Sequence, residues 1–269
     1  MIHELRWLKT RAAIESNTIM ISRFFAFCLG LILTASSGLA QPGAPTPRHL
    51  LLAEELVRNL KDASENSYGG GTRHIEWNER PCAARTVCSS FVTLLFMRAY
   101  DLSVDDYKRW FNRSNPMAED YHDAVEAENG FIHVTKTRNI RPGDILAVKY
   151  NDGHVSRNGI EDTGHVMVVA SQPEAIAGAT DVAPGAKLYT VWVIDSSASG
   201  HGPRDSRHLG KGKFTGGIGK GMLRIAVDPA SDKIVAYSWS DGRKSEFFAG
   251  VGRDLVVGRL ELSKLKKNP

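Results

Sequence analysis

Residues 88–100 read CSSFVTLLFMRAY. A cysteine and two serines open the stretch, and a strongly apolar run without Gly or Pro follows, so it predicts a central core helix. The residues ahead of it, 64–87, are polar and glycine-rich around Tyr68-Gly69-Gly70-Gly71 and predict a loop. A thiol on the first turn of such a helix meets the positive end of the helix dipole and unpaired N–H groups. Both favour the thiolate. The same N–H groups could hold an oxyanion formed by attack on a carbonyl.

Working outward, Thr46-Pro47 begins an earlier helix, with Leu52, Leu56, Val57 and Leu60 on one face up to about Ala63. Downstream, Ser103 followed by Asp106 is a capping-box variant that starts a helix to Phe111. A more polar helix covers 116–128. After Gly130 the pattern changes. Arg141-Pro142-Gly143-Asp144 is a turn, and β-type runs follow at 145–150, 165–171, 188–195, 222–228, 233–239 and 255–262. The pair around Asp228-Pro229-Ala230-Ser231-Asp232 predicts a hairpin. Helices first and about six strands after predict an α+β domain over 48–262, its helices packed on an antiparallel sheet or partial β-barrel. No internal repeat and no second domain boundary is visible.

The chain has 269 residues, 42% of them hydrophobic and 24% charged, with 25 Gly, 11 Pro and 3 Cys. These values exclude a disordered chain, a collagen-like repeat and a disulfide-dense mini-protein. With 34 Lys+Arg against 30 Asp+Glu the net charge is +4, which leaves no nucleic-acid footprint. The apolar run Phe24–Leu33 is far shorter than the roughly 20 residues a spanning helix needs. Arg23 precedes it, and Gly38 and Ala40 supply small residues before Gln41. That order predicts a signal peptide over 1–40, with Met20 as a candidate true start because Glu4 and Glu15 are unusual in a signal. Residues 41–47 are then a linker. The mature protein would be exported, periplasmic or secreted, without stable membrane insertion. A buried N-terminal helix is the other reading of the segment. The C-terminal 263–269, with Lys264, Lys266 and Lys267, is a basic tail best read as solvated.

Two further residues could complete the chemistry of Cys88. His165 enters the apolar run 165–171, where a rigidly held imidazole could take the thiol proton and later protonate a leaving amine. Asp195 ends the run 188–195, where its carboxylate could orient that imidazole. Taken singly, each has a plainer reading as an edge histidine or a turn-forming Asp.

In this order, Tyr68-Gly69-Gly70, Cys88-Ser89-Ser90-Phe91-Val92, Arg141-Pro142-Gly143-Asp144-Ile145, Gly164-His165-Val166 and Asp195 resemble the motifs of the NlpC-type papain-like cysteine peptidases, bacterial cell-wall hydrolases related to the CHAP amidases. The resemblance spans about 48–262. It implies a papain-like fold and a cysteine peptidase or amidase acting on peptidoglycan peptide. Cys88 would be its nucleophile, His165 its base and Asp195 its third member. It also places Tyr68 near the oxyanion and Ser89 beside the nucleophile as a substrate-side residue. Val87 and Ser90 depart from the Asp and Gly of the family motif, and the segments before Cys88 and between His165 and Asp195 are long. These departures bear on the substrate more than on the fold.

Other readings stay open. Cys82 and Cys88 could form a disulfide in an oxidising compartment, which would abolish thiol catalysis. His154, His201 and His208 are rival bases in polar loops, where a histidine is usually solvated. Arg204 or Arg207 could clamp a substrate carboxylate from the cleft rim. Residues 210–221, GKGKFTGGIGKG, fail as a phosphate loop because Phe214 and Gly221 occupy required Gly and Ser/Thr places, leaving a flexible or cleft-edge loop. No metal-ligand spacing is present, and no cofactor is expected. A non-catalytic envelope-binding module and a thiol acyltransferase are the alternative functions.

Overall fold

The computed structural model of the protein describes residues 45–60, 65–77, 82–153, 155, 162–178, 180–242, 244–250 and 252–265. The expected signal peptide, most of the linker, Cys28, His154 and the last residues of the basic tail lie outside them.

Among the described residues the α-helices are α1 (Arg48–Asn59), α2 (Cys88–Tyr100), α3 (Val104–Phe111) and α4 (Ala118–Glu126), with three short strands between α1 and α2. The helix expected from 88–100 is there in full. Ser103 caps α3, its hydroxyl accepting from the Asp106 N–H at 3.1 Å while Asp106 Oδ2 accepts from the Ser103 N–H at 2.7 Å. In α1 the buried face runs through His49, Leu50, Ala53 and Leu56, and Leu52, Val57 and Leu60 pack at its margin.

The segment 64–87 corrects the loop expectation. It contains three strands, β1 (Asn66–Tyr68), β2 (His74–Ile75) and β3 (Ala84–Thr86), paired in the order β1-β3-β2. Strands of two or three residues carry no readable alternation.

The rest of the chain supplies β4 (Phe131–His133), β5 (Ile145–Tyr150), β6 (Gly164–Val169), β7 (Glu174–Ile176), β8 (Lys187–Ser197), β9 (His208–Gly210), β10 (Lys213–Phe214), β11 (Gly217–Val227), β12 (Ile234–Ser238), β13 (Phe248–Ala249) and β14 (Arg253–Leu260). A nine-stranded sheet runs β13-β12-β11-β8-β6-β5-β14-β4, with β7 added on β8, and its pairings are antiparallel. The six expected strands are all present. The loop expected at 210–221 is instead the β9–β10 hairpin and the first residues of β11.

Side chains alternate across this sheet. Ile145, Ala147, Val166, Val168, Ile194 and Val256 join the helices in one core. Leu146, Val148, Met167, Val169, Val191, Val193, Leu223, Ile225, Tyr237 and Val257 form a second core on the opposite face. The sheet curls around that second core until Arg253 of β14 lies 4.3 Å over the Phe248 ring of β13. The result is an α+β fold in which helices cover one side of a partial barrel. The tail begins inside this fold: Leu265 packs against the helix core and the Gly130 N–H donates to the Lys264 carbonyl. No helix among the described residues is long and apolar enough to cross a membrane.

His49 ties α1 to this framework. Its Nε2 donates to the Gly143 carbonyl at 2.7 Å, and its Nδ1 stands 2.6 Å from the Tyr100 hydroxyl. Burial lowers its pKa to about 4, against the opposing pull of the Gly143 bond. The unfolded chain therefore takes up this proton near about pH 6.5, while the folded protein resists until near 4. Stability should fall as pH drops through that window, by on the order of 3 kcal/mol. Urea midpoints measured across it should show the loss, and His49→Gln should flatten it.

Candidate active site

On β6, His165, Met167 and Val169 share the barrel-facing side, and on β8 Val191, Val193 and Asp195 do the same. Pairing between the two strands stops at Val168–Ile194. Beyond it the strands part, and the barrel interior changes from apolar to polar at that end. There His165 Nε2 meets Asp195 Oδ2 at 2.6 Å. Cys88, on the first turn of α2, reaches the same place: its Sγ lies 4.0 Å from the Gly164 carbonyl oxygen, close enough to His165 to bear on its protonation. With Nε2 held by Asp195, Nδ1 is the nitrogen left for the sulfur.

Local sequence fixes each part. Ser90 Oγ accepts from the Val87 N–H at 2.9 Å and donates to the Val87 carbonyl at 3.1 Å, closing the turn that presents Cys88. Ser196, next to Asp195, donates to the Thr86 carbonyl at 3.0 Å and so joins the lead-in of α2 to β8. Gly164 sets the entry of β6. Its φ is +139°, and a Cβ there would fall 1.9 Å from the Val148 carbonyl oxygen. Gly164→Ala should therefore destabilise the fold by about 2–4 kcal/mol and displace His165. A lowered thermal midpoint with a perturbed His165 ring signal in NMR would register both effects.

The electrostatics follow from burial. Asp195 has 0% of its side chain exposed. Burial alone would raise its pKa, but Arg207, His201 and the His165 bond outweigh that and hold the carboxyl well below the usual range. Burial also works against a charged His165, yet the Cys88 sulfur and Asp195 together raise its pKa to about 10. The imidazolium is thus the favoured form through neutrality. Burial, followed by the charges of Cys88, Asp162 and Asp195, pushes the Tyr68 phenol upward, so its hydroxyl stays protonated beside the site.

Other expected residues fall differently. Ser89 is buried one place into α2. Arg207 cannot clamp a substrate. Its side chain is 2% exposed and bonds Asp195 Oδ1 at 2.9 Å, both oxygens of Asp205, and the Gly217 carbonyl. Arg204 is 58% exposed, pairs with Asp241 at 2.6 Å and reaches the Met222 sulfur, so it lies on the surface with a partner already in place. No disulfide joins Cys82 and Cys88, and both are buried thiols. His208 packs on Phe214. His201 is not a solvated loop residue: it is buried, with Nε2 3.0 Å from Asp195 Oδ2 and Nδ1 2.7 Å from the Trp239 carbonyl.

The glycines of β11 make this cluster possible. A Cβ on Gly219, which pairs with Asp195, would meet the Arg207 side chain at 2.3 Å. One on Gly221 would meet Asp205 Oδ2 at 2.3 Å. Glycine at these alternate places strips one side of β11 and admits Arg207, Asp205 and His201.

Among the described residues, two groups have metal-compatible donor types: His165, Asp195 and His201, and His122, Asp123 and Glu126. In the first, Arg207 already binds Asp195 and two imidazoles fill the other oxygen. In the second, the Lys149 ammonium contacts both Asp123 oxygens at 2.8–2.9 Å. Internal cations thus supply the positive charge in both.

Fold and geometry together define an α+β protein in which the buried Cys88 and Asp195 and the half-buried His165 meet at one end of an antiparallel partial barrel. The chain is 30% identical over 226 residues to an uncharacterized protein of Acanthamoeba polyphaga mimivirus, a match covering 80% of this chain and 97% of that one. It belongs to that protein's family. No family model and no solved structure matches the chain.

Proposed function

We propose that the protein is a papain-like cysteine hydrolase that cleaves an amide bond, with an exported mature form acting on peptidoglycan peptide. The observation that carries this reading is the gathering of Cys88, His165 and Asp195, in which the 2.6 Å bond to Asp195 occupies Nε2 and leaves Nδ1 as the nitrogen available to the sulfur. A helix-borne thiol against a barrel-borne histidine is also what the resemblance of the motifs implies. The substrate and the export rest on that resemblance and on the signal-like start of the chain.

In the proposed reaction the Cys88 sulfur attacks the carbonyl carbon, and the oxyanion is received by the Cys88 N–H and the Tyr68 hydroxyl. The C–N bond breaks as His165 gives its proton to the leaving amine. A water then attacks the thioester carbon, passing its proton to His165. The acid leaves, and the proton restores the Cys88–His165 pair. Asp195 keeps the imidazole turned throughout.

Incubating the protein with peptidoglycan-derived peptides, and following new amine and carboxyl ends by mass spectrometry, tests the proposal. Cleavage should vanish in Cys88→Ala. Cleavage at an unchanged rate in that variant would overturn the mechanism.

A further inference from the structure

Resting on that reading, we infer that His201 is a positioning residue for the cysteine centre, fixing Asp195 so that its Oδ2 stays aimed at His165. Two imidazoles share this one oxygen, His165 at 2.6 Å and His201 at 3.0 Å. Arg207 takes the other oxygen at 2.9 Å. With both oxygens engaged, the carboxylate cannot turn without breaking a buried, charge-assisted bond.

His201 is itself fixed from three sides. Its backbone N–H donates to Asp205 Oδ2 at 2.8 Å, its Nδ1 faces the Trp239 carbonyl at 2.7 Å, and its Nε2 faces Asp195. A carbonyl oxygen only accepts, and so does an ionised carboxylate. Both ring nitrogens therefore face acceptors, with Nε2 the one turned to Asp195. Asp195 and Asp205 are thus gathered around Arg207, and His201 completes the contacts of Asp195 Oδ2. Held in this way, Asp195 keeps Nε2 of His165 occupied and leaves its other nitrogen for the Cys88 sulfur. Trp239 covers both rings, edge-on to His165 at 5.4 Å and stacked on His201 at 6.4 Å. The titratable groups acting on His165 are Cys88 from α2 and Asp195 from β8; behind Asp195 stand His201, Arg207 and, beyond Arg207, Asp205, while Tyr68 from β1 feels the charges of Cys88, Asp195 and Asp162, the last lying ahead of β6.

Alkylation by iodoacetamide reads this arrangement without needing a known substrate. Cys88 labelling is followed by peptide mapping over a pH series in wild type, His201→Leu and His201→Gln, with thermal midpoints alongside. In wild type, labelling is fast at neutral pH, with a break at alkaline pH where His165 loses its proton. His201→Leu removes the donor to Asp195, and neutral-pH labelling drops about tenfold or more. His201→Gln restores an N–H donor. It recovers most of the rate, the rescue that a positioning role predicts and a merely structural one does not. Lowered melting points with wild-type rate and break in both variants would mean that His201 only supports the fold, and would overturn the inference. Slow labelling without a break in wild type itself would overturn the hydrolase reading beneath it, and the inference with it.

Discussion

His165→Ala is expected to lower amide hydrolysis by about 10³–10⁴-fold, since it removes the group that both generates the nucleophile and protonates the leaving amine. Asp195→Asn should cost about 10²–10⁴-fold while leaving the imidazole present. The two differ most clearly in their pH dependence. Cys88 and Asp195 raise the His165 pKa to about 10 against the opposing effect of burial, so the wild-type alkaline limb lies in that region. Asp195→Asn deletes a negative charge 2.6 Å from Nε2 and should draw the limb down toward the ordinary histidine value. The measurement is kcat/KM against pH on a cleaved peptide. An alkaline limb unmoved by Asp195→Asn would show that Asp195 does not set the protonation of His165.

The residues that meet at this site were legible for a physical reason. Val191, Val193 and Asp195 lie two apart, as do His165, Met167 and Val169, so strand alternation alone puts both polar groups on the side that is otherwise apolar. Cys88 was legible because a glycine-rich segment gives way abruptly to an apolar helix. The six long strands announced themselves as β-branched runs, whereas β1, β2 and β3 are too short for any period to show.

The cluster behind Asp195 was not legible. His201-Gly202-Pro203-Arg204-Asp205-Ser206-Arg207-His208 has the composition of a solvated loop, and burial of such a loop depends on what surface it lands on. That surface was written in a stretch first compared with a phosphate loop. Gly217, Gly219 and Gly221 alternate along β11 and leave one side of the strand bare. A bare strand side inside a protein must be filled from elsewhere, since interiors pack closely. Arg207, Asp205 and His201 fill it at Gly219 and Gly221, and Asn66 fills it at Gly217.

This filling makes Arg207 the most costly side chain to remove from the cluster. Arg207→Met keeps much of the stem's volume but leaves the Asp195 and Asp205 carboxylates buried, with 0% of either side chain exposed, and without the cation between them. Breaking a buried pair by deleting one partner costs about 3–5 kcal/mol, because the remaining charge stays out of water. His201 can offset part of this through Asp195 Oδ2, but Asp205 keeps no comparable cation. The loss should also depend on pH. In the variant Asp195 is no longer held in the ionised form by Arg207, so its pKa rises and the folded state binds protons more readily. The deficit relative to wild type is then largest at neutral pH and shrinks as pH falls through the raised value. Arg207→Lys keeps a charge without the planar fork that spans both carboxylates, and should fall between the two. Urea midpoints of the three proteins at neutral and acidic pH decide the matter. An Arg207→Met variant as stable as wild type at neutral pH would mean that the buried cluster is not held together by this guanidinium.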